Sequence, residues 1–180
     1  MEHPKPAVKE MTSADVLGIV ELLEGHGIEV WLDGGWGVDA LLGRQTRAHG
    51  DLDIAVRHED VPRLREHLEA RGFRDVPRDD TKDWSFVLGD DHGHEVDVHS
   101  YVSDSEGEHR YGTAYPRDSL TGVGSVNGKP VKCVAAEHMV RFRTGYKLRE
   151  TDIRDVRALH ERFGIPIPKE HEDGPERKRG

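Results

Sequence analysis

Asp51-Leu52-Asp53-Ile54-Ala55-Val56 sets two aspartates one residue apart at the head of an apolar run. Side chains at i and i+2 of a strand point to the same face, so the run predicts a strand that presents Asp51 and Asp53 together. Aspartate is depleted in strands, and like charges on one face repel each other. Taken alone, an Asp-x-Asp also suits a capped turn beside a solvated strand. The alternative is compensation by hard divalent cations, one or two set roughly 3.5–4 Å apart, which take carboxylate oxygen and leave room for water and phosphate. Mg²⁺ matches that chemistry best.

Two neighbouring segments support the cation reading. Upstream, Gly34-Gly35 separates a short apolar strand from Trp36-Gly37-Val38-Asp39-Ala40-Leu41-Leu42, which reads as a short helix stopped at Gly43. Backbone N–H groups free of side chains at a helix start favour phosphate. Arg44 and Arg47 lie between this turn and the aspartate pair and are candidate bidentate phosphate donors. Downstream, Glu95-Val96-Asp97-Val98-His99 alternates strictly, placing Glu95, Asp97 and His99 on one face and two valines on the core face. Asp97 is the natural third carboxylate of a site for two Mg²⁺ ions.

The 180 residues are 34% hydrophobic and 34% charged, enough for one main core and a small helical appendage. A net charge of −9 argues against a broad nucleic-acid footprint and for a small substrate. Neither an apolar leader core nor a run of about 20 apolar residues is present, so neither a membrane span nor export is expected and the cytoplasm is the expected compartment. Cys133 is the only cysteine, which rules out an intrachain disulfide and a cysteine-based zinc cluster. His92, His94 and His99 around a hairpin make a poor zinc site.

Periodicity predicts a helix from Ser13 to Gly25 capped by Thr12 or Ser13, and a strand over Ile28–Leu32. It also predicts a helix from Glu59 to Arg71, with Pro62 in its first turn, and strands around Trp84–Leu88 and His94–Tyr101. The stretch 103–117 is polar and reads as a long loop. Asn127-Gly128 signals a type I′ hairpin between Leu120–Val126 and Pro130–Val134. Helices are expected over Ala135–Thr144 and Thr151–Arg162, and a disordered charged tail follows. The fold class is α+β, a mixed sheet flanked by helices, with a core over 12–134, a C-terminal helical part over 135–168 and a tail over 169–180. The helical part has three uses open to it: packing on the sheet, closing over a substrate, or pairing with a second copy in a homodimer.

Trp31-Leu32-Asp33-Gly34-Gly35-Trp36-Gly37-Val38-Asp39, Arg47-Ala48-His49-Gly50-Asp51-Leu52-Asp53 and Glu95-Val96-Asp97-Val98-His99, in that order, resemble the antibiotic nucleotidyltransferases of the DNA polymerase β superfamily. The short lincosamide nucleotidyltransferases are most similar, followed by the aminoglycoside 2″-nucleotidyltransferases. The likeness runs from about Val30 to Pro168 and includes Cys133-Val134-Ala135-Ala136-Glu137 and Gly145-Tyr146. Trp36 stands where polymerase-like members carry serine, as in the antibiotic-modifying group.

The resemblance implies a nucleotidyltransferase fold and transfer of AMP from ATP to a hydroxyl of a small molecule. Asp51, Asp53 and Asp97 would be the catalytic and metal-binding set, and Gly34, Gly35, Trp36, Arg44 and Arg47 would line the nucleotide. A lincosamide-type acceptor comes first and an aminoglycoside second. Trp84, Glu95, His99 and Tyr101 are candidates for the acceptor pocket. From another class, a non-catalytic antitoxin-type relative that binds a protein partner stays open, although all three carboxylates and both glycines are present.

Overall fold

A computed structural model of the chain describes residues 7–172. The elements run α1 (Ser13–Gly25), β1 (Trp31–Asp33), α2 (Gly34–Leu42), β2 (Asp51–Arg57), a 3-10 turn (His58–Asp60), α3 (Val61–Glu69), β3 (Arg74–Asp75) and β4 (Ser85–Gly89). They continue with β5 (Glu95–Ser103), β6 (His109–Gly112), β7 (Gly122–Val126), β8 (Lys129–Cys133), α4 (Ala136–Arg141), α5 (Glu150–Phe163) and α6 (Lys169–Glu172).

The strands form one mixed sheet in the order β3-β4-β5-β2-β1-β8-β7, with β6 extending the β4 side along the far end of β5. The β2–β5 and β1–β8 pairs are parallel, and β1–β2 is antiparallel. Alternation divides the sheet's two faces. Leu32, Leu52, Ile54, Val56, Val96 and Val98 are buried in one core with α1 and α3, each such side chain contributing about 1.5–3 kcal/mol. Trp31 and Ala55 face the other way, into a second core with Val38, Tyr115 and residues of α4 and α5. The C-terminal helices therefore pack on the sheet, on the face that carries Asp51 and Asp53.

Local chemistry explains the element ends. Thr12 and Asp15 form a reciprocal capping box at the start of α1. Asp33 caps α2 by accepting from Gly34 N at 2.8 Å, and Gly43 closes that helix with φ of +72°. Asn127 and Gly128 both have positive φ, as the I′ turn between β7 and β8 requires.

Several expectations need correction. The strand expected over Ile28–Leu32 is shorter and later, because ladder pairing begins only at Trp31↔Ala55. The loop expected over 103–117 contains β6, an exposed edge strand whose side chains carry no burial alternation for a sequence pattern to register. The tail begins with α6, where buried His171 donates from Nε2 to the Arg143 carbonyl at 2.6 Å. The rest of the expected tail, 173–180, lies outside the described residues. Among the described residues no helix is long and apolar enough to cross a membrane.

Candidate active site

Strand register assembles the site. Asp53 on the central strand β2 faces Asp33 across β1 and Asp97 across β5, and Asp51 faces Glu95 one step along. Three carboxylates thus form a row across three strands, with two more beside it. Asp33 belongs to this row although no periodic signal marked it. Its second oxygen accepts from the buried Tyr115 hydroxyl at 2.8 Å.

The N-terminus of α2 abuts this row. Gly34 sits at φ +58°, and a Cβ there would meet the Asp53 carboxylate, with Cγ 2.8 Å away. A Cβ at Gly35 would lie 2.5 Å from His49 Nδ1 and 2.7 Å from an Arg47 terminal nitrogen. Both glycines are needed because other side chains already crowd the first turn of the helix. Arg47 thus lies beside the first turn of α2. Arg44 does not, being exposed past the C-terminal end of α2, about 13 Å along a nine-residue helix from Gly34. Trp36 is in the core, its indole N–H donating to the Met11 carbonyl at 3.1 Å. Only its backbone faces the helix start.

The site's electrostatics follow from crowding. His99 Nε2 lies 3.5 Å from Asp53 Oδ1 and 3.4 Å from Asp97 Oδ1. Burial pulls the His99 pKa down, but pairing with Asp53 and the charges of Asp97 and Asp33 outweigh it, raising the value to about 9. Burial, with the charges of Asp53, Asp51 and Asp80, pushes Asp97 up to about 7 against the opposing effect of His99. Burial, with Asp53 and Glu95, carries Asp51 to about 6. Protonated His99 thus offsets part of the negative charge of the row. One ligand atom from each of Asp53, Asp97 and His99 can be chosen with all three within 4.8 Å of one another. With Asp51 on the same face, the carboxylate oxygens of Asp51, Asp53 and Asp97 are hard donors that fit a divalent cation, and His99 gives up its proton if it joins them.

Two buried carboxylates away from the Asp51–Asp53 face hold the side chains over Gly35. Asp39 accepts from Thr46 N at 3.0 Å, from Thr46 Oγ1 at 2.6 Å and from His49 Nε2 at 2.6 Å. Burial favours its neutral form, but the hydrogen bonds from His49 and Thr46 prevail and hold the pKa below the ordinary value. On α5, Asp155 takes Arg143 Nε at 3.2 Å and a second Arg143 nitrogen at 3.1 Å, and lies 3.7 Å from Arg47. Neither Asp39, His49 nor Asp155 was singled out from the sequence. The only local sign was an aspartate on an apolar helix stripe.

A cavity of about 360 Å³ opens beside Asp97, lined by Asp51, Asp80, Glu95, Asp97 and His99, with Arg78 at its wall. Arg78 bonds both Glu95 oxygens, at 2.8 and 2.9 Å. Glu95 and His99 both line this cavity. Trp84 sits in the turn before β4, its carbonyl accepting from Ser100 N at 2.8 Å. Tyr101 shares the carboxylate face but packs edge-on against Trp31 and Tyr115, in a second cleft further along β5. Neither aromatic lines the cavity at Asp97. Cys133 is buried, its thiol pushed up to about 12 by desolvation.

The family model for aminoglycoside-2″-adenylyltransferase matches residues 15–159. A lincosamide resistance protein of Staphylococcus haemolyticus is 27% identical over 154 residues, 83% of this chain and 94% of that protein. A 2″-aminoglycoside nucleotidyltransferase of Escherichia coli is 26% identical over 129 residues, 68% of this chain and 67% of its own. The crystal structure of a lincosamide antibiotic adenylyltransferase with lincomycin bound superposes with a TM-score of 0.73 at 25% identity, covering 84% of this chain and 98% of the other.

Proposed function

The chain belongs to the aminoglycoside-2″-adenylyltransferase family and is a nucleotidyltransferase, and from that premise we propose that it moves AMP from ATP to a hydroxyl of a lincosamide-type antibiotic. The observation that carries the reading is the row Asp33, Asp53 and Asp97 beneath the N-terminus of α2, with a cavity opening at Asp97. Of the relatives described, the lincosamide resistance protein is matched over most of its length, which puts that acceptor class first. An aminoglycoside is the second reading, favoured by Asp51, Asp80 and Glu95 around the cavity, a setting that attracts a polycation. Enzymes among the relatives outweigh a non-catalytic binding role.

In this reading the first turn of α2 receives the triphosphate on the backbone N–H groups that follow Gly34, whose own N–H is held by the Asp33 cap, and Arg47 reaches the same phosphates. Asp51, Asp53 and Asp97 would hold Mg²⁺, one or two ions, which when bound neutralises phosphate charge and steadies the pyrophosphate leaving group. Asp97, at the cavity wall, orients the acceptor hydroxyl and takes its proton. The acceptor oxygen bonds to the α-phosphorus as the bond to pyrophosphate breaks, and holding the reactants in line supplies much of the rate. Glu95 and His99 face the acceptor.

The test incubates the protein with ATP or GTP, Mg²⁺ and a panel of lincosamides and aminoglycosides, and follows the acceptor by mass spectrometry. A nucleotidyl-sized gain on a lincosamide supports the proposal, and a gain on aminoglycosides alone selects the second reading. ATP affinity in Mg²⁺ without an adduct on any antibiotic would move the acceptor outside both classes.

A further inference from the structure

Arg47 bridges two parts of the chain that are far apart in sequence. One of its terminal nitrogens lies over Gly35 in the first turn of α2, close enough that a methyl group there would collide with it at 2.7 Å. One also lies 3.7 Å from Asp155 Oδ2 on α5. Among the described residues its guanidinium makes no hydrogen bond, and Nε is buried without a partner. Its donors are therefore uncommitted, while its position is constrained.

The constraint originates in the C-terminal helices. Asp155 is 4% exposed, and Arg143, which grips its Oδ2 through two nitrogens, is 7% exposed. Arg143 is itself held through its first terminal nitrogen by the Met139 carbonyl and through its own carbonyl by His171 of α6. A carboxylate buried this deeply is poorly placed to touch a nucleotide. It is well placed to fix a guanidinium that does. Arg143 takes up the hydrogen-bonding capacity of Asp155 Oδ2, and the same oxygen also lies within ion-pair reach of Arg47.

We infer that Asp155 is a positioning residue for nucleotide binding: from α5 it holds the Arg47 guanidinium over the first turn of α2, where the triphosphate is received. The inference rests on the phosphate-binding role given to Arg47 above. It makes the C-terminal helices part of the nucleotide site, coupling their docking to the cradle through the chain α6, Arg143, Asp155, Arg47 and Gly35. Asp39 does the corresponding work for His49 on the same turn.

A double-mutant cycle on the full chain tests it, reading ATP affinity by calorimetry in Mg²⁺, steady-state constants, and thermal melting to establish that each variant is folded. Arg47→Ala is expected to weaken ATP about tenfold or more, and Asp155→Asn about threefold to tenfold, the latter with acceptor KM within about twofold. The combined variant should bind ATP no more weakly than Arg47→Ala alone. Multiplying effects, or an Asp155→Asn effect confined to acceptor KM or to melting, overturns the inference while leaving Arg47 at the phosphates. If Arg47→Ala keeps wild-type ATP affinity, the phosphate role of Arg47 fails first and the inference fails with it. Should Asp155→Asn melt below the assay temperature, Asp155→Glu displaces the charge by one methylene and is read in the same cycle.

Discussion

Replacing Gly34 with alanine separates the backbone's contribution to this site from the metal-facing geometry. Gly34 occupies φ +58°, where a side chain costs roughly 1–2 kcal/mol, offset by about 0.4–1 kcal/mol of reduced unfolded-state entropy. The added methyl would also lie 2.8 Å from Asp53 Cγ, whereas carbon–carbon contacts settle at about 3.5–4.0 Å. The carboxylate must therefore retreat by roughly 0.7–1.2 Å or strain must remain, and such overpacking adds about 1–3 kcal/mol. The expected stability loss is about 1–4.5 kcal/mol, a fall of roughly 2–18 °C for a chain of this size. A misplacement of about 1 Å at the reacting centre is expected to reduce turnover about a hundredfold.

The control is Gly43→Ala at the other end of the same helix. Gly43 has φ +72°, but a Cβ there meets only Ser125 Oγ at an ordinary 3.6 Å. That variant should lose about 1 kcal/mol and keep its turnover. Melting curves and pyrophosphate release, with the acceptor identified by the mass screen, measure both quantities. Equal activity in the two variants, or equal loss in both, would refute the argument that Gly34 is needed for the place of Asp53.

Two other outcomes follow from the same geometry. Asp97 and Asp51 are raised from 3.8 to about 7 and about 6, and His99 from 6.5 to about 9. At these three groups the folded state binds more protons than the unfolded one, and their contribution to stability falls as pH rises from about 4 to 9. His99 contributes stability in full below pH 6.5 and loses it as pH rises through about 9. In chelator the melting temperature should drop between pH 6 and 9, and added Mg²⁺ should restore more of it at pH 9 than at pH 6. A melting temperature in chelator that climbs over this range contradicts the electrostatic account. Tyr115→Phe removes the hydroxyl donor to Asp33, leaving a carboxylate in the row less well solvated. A loss of about 1.5–3 kcal/mol in chemical unfolding is expected, and no measurable loss would show that water replaces the donor.

Which parts of this site were legible follows from the range of the interactions involved. Alternation along a single strand is local, so Asp51 with Asp53, and Glu95 with Asp97 and His99, could be assigned to shared faces without knowing the partner strands. The capping of α1, the glycine stop of α2 and the Asn127-Gly128 turn were legible for the same reason, since each depends on residues a few positions apart. Arg44 and Arg47 looked equivalent in sequence. Only the return of the chain along α2, tied down by Thr46 and His49 on Asp39, leaves Arg44 behind and brings Arg47 to Gly35. Trp36 was placed beside the nucleotide and Trp84 and Tyr101 at the acceptor pocket, but packing took the first into the core and turned the others from the cavity at Asp97.

The amino-acid sequence by itself determined that carboxylates would share a strand face, that a glycine pair would open a helix, and that the whole resembled a nucleotidyl transfer site. Tertiary structure alone decided that β1 runs antiparallel and β5 parallel to β2 in the register that aligns Asp33, Asp53 and Asp97. It also decided that Asp155, 108 positions beyond Arg47, shares its charge. Side-chain direction within a strand follows from backbone geometry over two residues, whereas register and ion pairs across the fold are chosen by the burial of the entire core.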